Sequence, residues 1–346
     1  MLDSVKNIRA VDRKGMMSLI GKMPDHLSEG LRRGRRTGLS KFTSKNIVIC
    51  GMGGSAIGGD LLKAWLTDSC AIPCEVIRSY AVPSYVGKDS LVIVASYSGN
   101  TEESLCMLED ARKKRSKIVS ISSGGKLADV ASASSIPHAR IPTGLPPRAT
   151  IGYMFGAMVG VVERVGAAKP DKQVEESERI LAKISELCGP AVPTLDNPAK
   201  KIAHEMFGRI PVIVGHGASA PVAKRWANQL NENAKCLAFS SELPEMDHNE
   251  IVGYSSDPRG KGFSIVFLDK DAGEERMTDR IEATIDIVRC HAQAHSIESS
   301  GSSPMSRMLS LVMLGDYVSV YTAVLNKVDP SSTEPIERLK TILSKK

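Results

Sequence analysis

The apolar positions fall into short blocks divided by glycine- and serine-rich turns, and the first complete block organises the rest. Residues 46–67 open with Ile47-Val48-Ile49-Cys50, an apolar run that predicts a buried strand. Gly51-Met52-Gly53-Gly54-Ser55 predicts a tight turn, and the stretch from Ala56 to about Trp65 predicts a helix. A second run, Leu91-Val92-Ile93-Val94-Ala95, predicts another buried strand and ends in Ser96-Tyr97-Ser98-Gly99-Asn100-Thr101-Glu102-Glu103. A helix is expected over residues 102–114, with Leu105, Leu108 and Ala111 on one face. Lys117-Ile118-Val119-Ser120-Ile121 predicts a third strand, and Ser135-Ile136-Pro137 opens a short strand-like piece. Pro146-Pro147-Arg148-Ala149 sits in a proline-fixed turn that leads into an apolar helix over residues 151–162. Strands alternating with helices over short links predict a parallel sheet covered on both faces.

Around this block the pattern is less regular. Residues 1–44 read as helical with breaks: Pro24 interrupts, and Gly30 and Gly34 punctuate. Residues 166–200 are charged and helical, then proline-rich at Pro190, Pro193 and Pro198, and read as a connector. Beyond it the opening motif recurs. Ile210-Pro211-Val212-Ile213-Val214 predicts a strand, Gly215-His216-Gly217-Ala218-Ser219-Ala220 its turn, and Pro221 suits the first turn of a helix. The two glycine turns match at a constant offset (215 − 51 = 164; 219 − 55 = 164). Phe263-Ser264-Ile265-Val266-Phe267-Leu268 corresponds in order to the second strand, but it ends in Asp269-Lys270-Asp271 where the first copy has its hydroxyls. The chain therefore reads as two copies of one α/β unit. The expected division is 1–165, a connector over 166–200, and 201–346.

A strand, polar turn and helix in succession build an anion site, because the turn and helix N–H groups aim at one spot that the helix dipole makes positive. Two such turns occur here, and the second adds the hydroxyls of Ser96, Ser98 and Thr101. Together they read as one cradle for a phosphate monoester. A tight turn without a ligand, or a dinucleotide fold, would also place glycines at 51 and 53. The dinucleotide fingerprint, however, asks for an acid at the end of the next strand, where this chain has serines, and no Gly-Lys-Ser/Thr of a P-loop is present.

Composition narrows the classes. The chain has 346 residues, 42% hydrophobic and 24% charged, enough for one large or two medium soluble domains. Aromatics at 4% argue against a base-stacking surface, so no nucleic-acid partner is expected. The net charge of +6 is mild and suits a small anionic substrate. Seven cysteines without zinc-type spacing read as reduced thiols, which points to the cytoplasm. The N-terminus is charged from Asp3 onward, unlike a signal peptide, and the apolar run at 151–162 is too short to span a bilayer. No membrane association is expected.

The second half holds Asn228-Gln229-Leu230-Asn231-Glu232-Asn233-Ala234-Lys235 at the end of the helix that begins near Pro221. Two asparagines flanking a glutamate are poor helix-interior residues and suggest a pinned carboxylate, although a solvated helix end fits as well. His248 lies in a proline-bounded loop among acids. His291 and His295 stand four apart on an expected helix, with no third ligand in view, so no metal is expected.

These segments together resemble the bifunctional phosphoglucose/phosphomannose isomerases, a branch of the sugar isomerase (SIS) domain superfamily. The similarity runs through Gly51-Met52-Gly53-Gly54-Ser55, Ser96-Tyr97-Ser98-Gly99-Asn100-Thr101, Pro146-Pro147-Arg148-Ala149, Asn231-Glu232-Asn233-Ala234-Lys235 and Asp247-His248-Asn249-Glu250. Gly315-Asp316-Tyr317, Asp329-Pro330 and Glu337-Arg338-Leu339-Lys340 also fit, while Ser331-Ser332 departs from the pattern before Thr333. The resemblance implies an α/β fold of two SIS-type subdomains, each a mostly parallel five-stranded sheet flanked by helices. It implies cofactor-free isomerisation between glucose 6-phosphate or mannose 6-phosphate and fructose 6-phosphate through a cis-enediolate.

It also implies roles. Gly53, Gly54, Ser55, Ser96, Ser98 and Thr101 would bind the 6-phosphate. Glu232 would move the proton between C2 and C1, and Arg148 would stabilise the enediolate. His248, donated by the partner of a homodimer, would open the sugar ring with Lys340. Thr333 would leave room for both C2 epimers. Two alternatives stand beside this reading. One is a non-catalytic sugar-phosphate sensor, which would carry an added helix-turn-helix that residues 1–44 do not clearly show. The other is an isomerase of a different sugar phosphate.

Overall fold

The computed structural model describes residues 1–270 and 275–343. Its chain divides into two compact units, one of residues 22–182 with 301–309, the other of residues 1–21, 183–300 and 310–346.

The first unit is built on a parallel sheet of five described strands: β1 (Asn46–Cys50), β2 (Cys74–Ile77), β3 (Ser90–Ala95), β4 (Lys117–Ser122) and β5 (His138–Arg140), in the order β2-β1-β3-β4-β5. Alternation decides which side each residue faces. Val48, Cys50, Val92 and Val94 point to one face, where Met107, Leu108 and Ala111 of the Glu102–Lys113 helix cover them. Ile49 points to the other, against Gly59 of the Gly53–Leu66 helix. All eight side chains on these positions, from Ile47 to Cys50 and Leu91 to Val94, are fully buried, and each of the aliphatic ones contributes about 1.5–3 kcal/mol relative to exposure.

Two expectations for the N-terminal segment are corrected. Pro24 does not interrupt a helix; it occupies the first turn of the Met23–Arg35 helix, where its missing N–H costs nothing. Gly30 and Gly34 do not punctuate; they lie within that helix and admit the backbone of the Ile151–Arg164 helix. A Cβ at Gly34 would stand 2.1 Å from the Ala157 carbonyl, and one at Gly30 2.5 Å from that of Tyr153. Gly156 and Gly160 return the fit, 2.4 Å and 2.5 Å from the Leu27 and Leu31 carbonyls. Small residues four apart on both helices allow this close approach.

The second unit repeats the topology. Strands β6 (Ile210–Gly215), β7 (Phe239–Glu242), β8 (Phe263–Leu268) and β9 (Gln293–Ile297) pair in parallel in the order β7-β6-β8-β9. The equivalence is β1 with β6, β2 with β7, β3 with β8 and β4 with β9. The left-handed glycine recurs at the same offset, Gly53 at φ +50 and Gly217 at φ +46 (217 − 53 = 164). Among the described residues this sheet has four strands, one fewer than the five expected, because the chain passes from β9 into the Pro304–Asn326 helix. That helix is long and apolar enough to cross a membrane, yet 89% of its most apolar window is buried inside the protein. His291 and His295 do not share a helix: the Glu275–Val288 helix ends first, and the alternating sequence Gln-Ala-His-Ser-Ile puts His295 in β9.

Candidate active site

In the order β2-β1-β3-β4-β5, the chain leaves β1 towards one edge and returns at β3 to build the other. The carboxyl ends of β1 and β3 therefore flank the switch point of the sheet, where open α/β sheets hold their ligands. Both serine turns stand there. Gly53, at φ +50, swings the chain out of β1, and the helix begins at once as Gly53–Leu66, three residues sooner than the sequence indicates. Gly53, Gly54 and Ser55 are thus its first turn; the Ser55 N–H donates to the Met52 carbonyl at 3.1 Å, and the Gly53 and Gly54 N–H groups have no partner within the helix. Thr101 precedes the second helix, Glu102–Lys113, in extended conformation.

The turns are tied together. The Tyr97 N–H donates to Ser55 Oγ at 3.2 Å. Ser96 Oγ and Thr101 Oγ1 lie 2.8 Å apart, and Ser96 Oγ also accepts the Gly99 N–H at 3.2 Å. Ser98, exposed, accepts the Asn100 N–H at 3.2 Å. Gly99 must be glycine: at φ +71 a Cβ would stand 1.8 Å from the Gly124 carbonyl. From the next turn, Ser123 donates to the Tyr97 carbonyl at 2.7 Å and the Leu127 N–H reaches the Gly99 carbonyl at 2.9 Å. The loop is therefore held by backbone and side-chain bonds from both sides.

Arg148 joins this group. Its short helical turn, Pro147–Ala149, lies over Gly54, with the Pro147 carbonyl 3.4 Å and the Arg148 Cα 3.9 Å from where a Gly54 Cβ would be. Arg148 is 5% exposed, and a guanidinium keeps its charge even when buried. Tyr97, which the sequence analysis did not single out, holds the preceding segment: its hydroxyl oxygen accepts the Leu145 N–H at 2.8 Å. An aromatic between two serines of the turn was the available signal.

In the second unit the Ala220–Gln229 helix runs into a π-turn, Leu230–Ala234, that carries Glu232 half-buried. Such turns are rare and are frequent at functional sites. The flanking amides hold the backbone: Asn231 donates to the Ala227 and Ala238 carbonyls, each at 2.8 Å, and Asn233 to Ser319 Oγ at 2.9 Å. One turn earlier, Arg225 and Asp316 form a buried bidentate pair at 3.0 and 2.7 Å, joined by Gln229 at 2.8 Å. Burial pushes the Asp316 carboxyl up, and the guanidinium and amide oppose that rise. This network fixes the helix that delivers Glu232.

His248 is exposed at the end of the Glu245–His248 turn, next to the edge strand β7. Its neighbour Asp247 is anchored by Arg280 at 2.8 Å and Thr284 at 3.0 Å. Thr333 is half-buried, donates to Glu337 at 3.2 Å and starts the Glu334–Leu343 helix, on which Lys340 is exposed. Among the described residues no group of three His, Cys, Asp or Glu side chains is arranged to hold a metal.

At the second sheet's own switch point a side chain bridges the turn after β6 to the end of β8. Where Met52 stands in the first copy, His216 stands in the second (216 − 52 = 164), and its Nε2 lies 2.9 Å from the Asp269 carbonyl at the end of β8. Of the Asp269-Lys270-Asp271 ending, Asp271 lies outside the described residues.

Comparison with known proteins follows the same division. Residues 42–136 match the SIS domain, and residues 195–343 match the bacterial phospho-glucose isomerase C-terminal SIS domain. A bifunctional phosphoglucose/phosphomannose isomerase of Caldicellulosiruptor bescii is 37% identical over 335 residues, covering 95% of this chain and 99% of its own. One of Aquifex aeolicus is 34% identical, covering 87% and 91%. Among solved structures, a hypothetical protein of Thermus thermophilus matches with a TM-score of 0.76 at 15% identity, covering 98% of this chain and 93% of its own, a likeness of fold.

Proposed function

This chain belongs to the bifunctional phosphoglucose/phosphomannose isomerase family and is an aldose–ketose isomerase of sugar phosphates; we propose that it interconverts glucose 6-phosphate and mannose 6-phosphate with fructose 6-phosphate, with Glu232 as the base. The observation that carries the reading is the convergence at the first switch point: two helix N-termini, the hydroxyls of Ser55, Ser96, Ser98 and Thr101, and the Arg148 turn against Gly54.

The phosphate is held there, remote from C1 and C2, and its binding energy orients the reacting carbons. His248 and Lys340 open the sugar ring. Glu232 then takes the C2 proton of the open-chain aldose, and the C–H electron pair forms the C1–C2 double bond of an enediolate. Charge gathers on O1, where a fixed guanidinium, that of Arg148, stabilises it. The O2 proton passes to O1, Glu232 delivers its proton to C1 in competition with exchange against solvent, and the C2 oxygen becomes the carbonyl of the ketose. Thr333 leaves the space in which the C2–C3 bond turns, so that both epimers reach one enediolate.

His248 acts across a homodimer in this proposal. Its exposure supports that arrangement, as do the exposed apolar side chains Leu237, Phe239 and Val252 around the edge strand β7 and the following helix, Glu250–Ser256. The cytoplasm is the proposed location, in keeping with seven free cysteines.

The test is direct: the purified protein, treated with chelator, converts both aldoses to fructose 6-phosphate. Conversion of neither would refute the assignment.

A further inference from the structure

Lys235 closes the turn that carries Glu232. Its backbone is left-handed, φ +53, and its side chain folds back beneath the turn. The ammonium donates to the Glu232 carbonyl at 2.7 Å, the Asn233 carbonyl at 3.3 Å and the Asp329 carbonyl at 2.6 Å. Three carbonyls match the three donors of an ammonium. The first two belong to the open end of a helix, where a cation is a common cap.

The third acceptor is remote in sequence. Asp329 lies in the link between the Pro304–Asn326 and Glu334–Leu343 helices. Its carboxylate accepts the Ser331 N–H at 2.8 Å, and further along, the Thr333 carbonyl accepts the Ile336 and Glu337 N–H groups at 3.0 and 3.2 Å to start the last helix. Asn326, at the other end of the link, donates to the Ala234 carbonyl at 2.9 Å. The segment leading to Thr333 and Lys340 is therefore fastened at two points to the turn that carries Glu232.

We propose that Lys235 is a positioning residue that couples Glu232 to the Thr333–Lys340 segment, so that the proton-carrying group and the residues that admit both C2 epimers keep one relative placement. The inference rests on the roles proposed above for Glu232 and Thr333. A simple helix cap needs only the Glu232 and Asn233 carbonyls. Engaging Asp329 makes the same ammonium a cross-link between two segments that serve one substrate.

Two variants of the full-length protein test this. Lys235→Met removes the charge while keeping most of the stem. Lys235→Gly removes the side chain at a φ that glycine prefers, so it spares the helix end. Each is assayed with glucose 6-phosphate and mannose 6-phosphate, alone and combined with Thr333→Ala, alongside thermal melts. Misplacing a base is costly, so kcat falls on the order of 10- to 100-fold while KM, set by the remote phosphate, stays within about twofold. The ratio of kcat/KM for the two aldoses shifts by about threefold or more, and the effect is non-additive with Thr333→Ala, as expected for coupled residues. Lys235→Arg recovers part of kcat.

A lowered Tm with kcat and the substrate ratio unmoved would overturn the coupling and leave a helix cap. A wild-type protein inert on both aldoses would overturn the functional reading as well, and that outcome is read before any variant is made.

Discussion

Ser55 Oγ accepts the Tyr97 N–H at 3.2 Å, a bond between the turn after β1 and the turn after β3. Through it two separately encoded loops become one surface at the switch point of the first sheet. The equivalent serine of the second copy, Ser219, bonds mainly within its own turn, donating to the His216 carbonyl at 2.8 Å and accepting the His216 N–H at 2.9 Å, and lies 3.4 Å from the Leu268 carbonyl at the end of β8.

The cradle predicts a defect in binding. A hydrogen bond to a charged group is worth about 1.5–3 kcal/mol, so Ser96→Ala or Thr101→Val raises KM for the sugar phosphates by about 10- to 100-fold. Inhibition by inorganic phosphate weakens in parallel. Unchanged KM and unchanged phosphate inhibition would remove these hydroxyls from the site.

The close contact of the Met23–Arg35 and Ile151–Arg164 helices predicts a stability effect. At Gly34 an added methyl meets the Ala157 carbonyl at 2.1 Å, so the helices must part. Gly34→Ala costs about 1–3 kcal/mol or more, the usual penalty of overpacking. Urea unfolding of the variant shows a lowered midpoint. A neutral Gly34→Ala would contradict the packing.

His26 predicts how the fold responds to acid. Its ring stacks on Tyr153 with centroids 4.2 Å apart, and burial pushes its pKa down to about 4. Between pH 6.5, its ordinary value, and pH 4 the unfolded chain holds a proton that the folded chain excludes. The contribution is therefore complete above that window and is lost as the pH falls through it. Melts across the window show a falling Tm, and the fall is shallower in His26→Phe. Parallel curves would clear His26 of the effect.

What the sequence revealed depended on how local the signal was. β1, β3, β6 and β8 are central strands buried on both faces, so they read as unbroken apolar runs. The serine turn and the offset between the copies are equally local. β2, β7 and β9 were not legible, because each is a short strand at or beside an edge and only part-buried. Gly30 and Gly34 looked like helix breakers because their partners, Tyr153 and Ala157, lie more than a hundred residues away. The amides around Glu232 suggested a grip on its carboxylate. In the fold Asn231 and Asn233 hold the backbone, with acceptors at Ala227, Ala238 and Ser319 that no spacing discloses.

Glu232→Gln is the most direct test of the account. The amide keeps the size of the carboxylate but cannot carry the proton. Base catalysis by a positioned group is worth about 10²- to 10⁴-fold, so kcat falls by about that factor with both aldoses while KM changes little. Exchange of the substrate C2 hydrogen with solvent slows to the same extent. Turnover by Glu232→Gln close to that of the wild-type protein would contradict the assignment of Glu232 as the base.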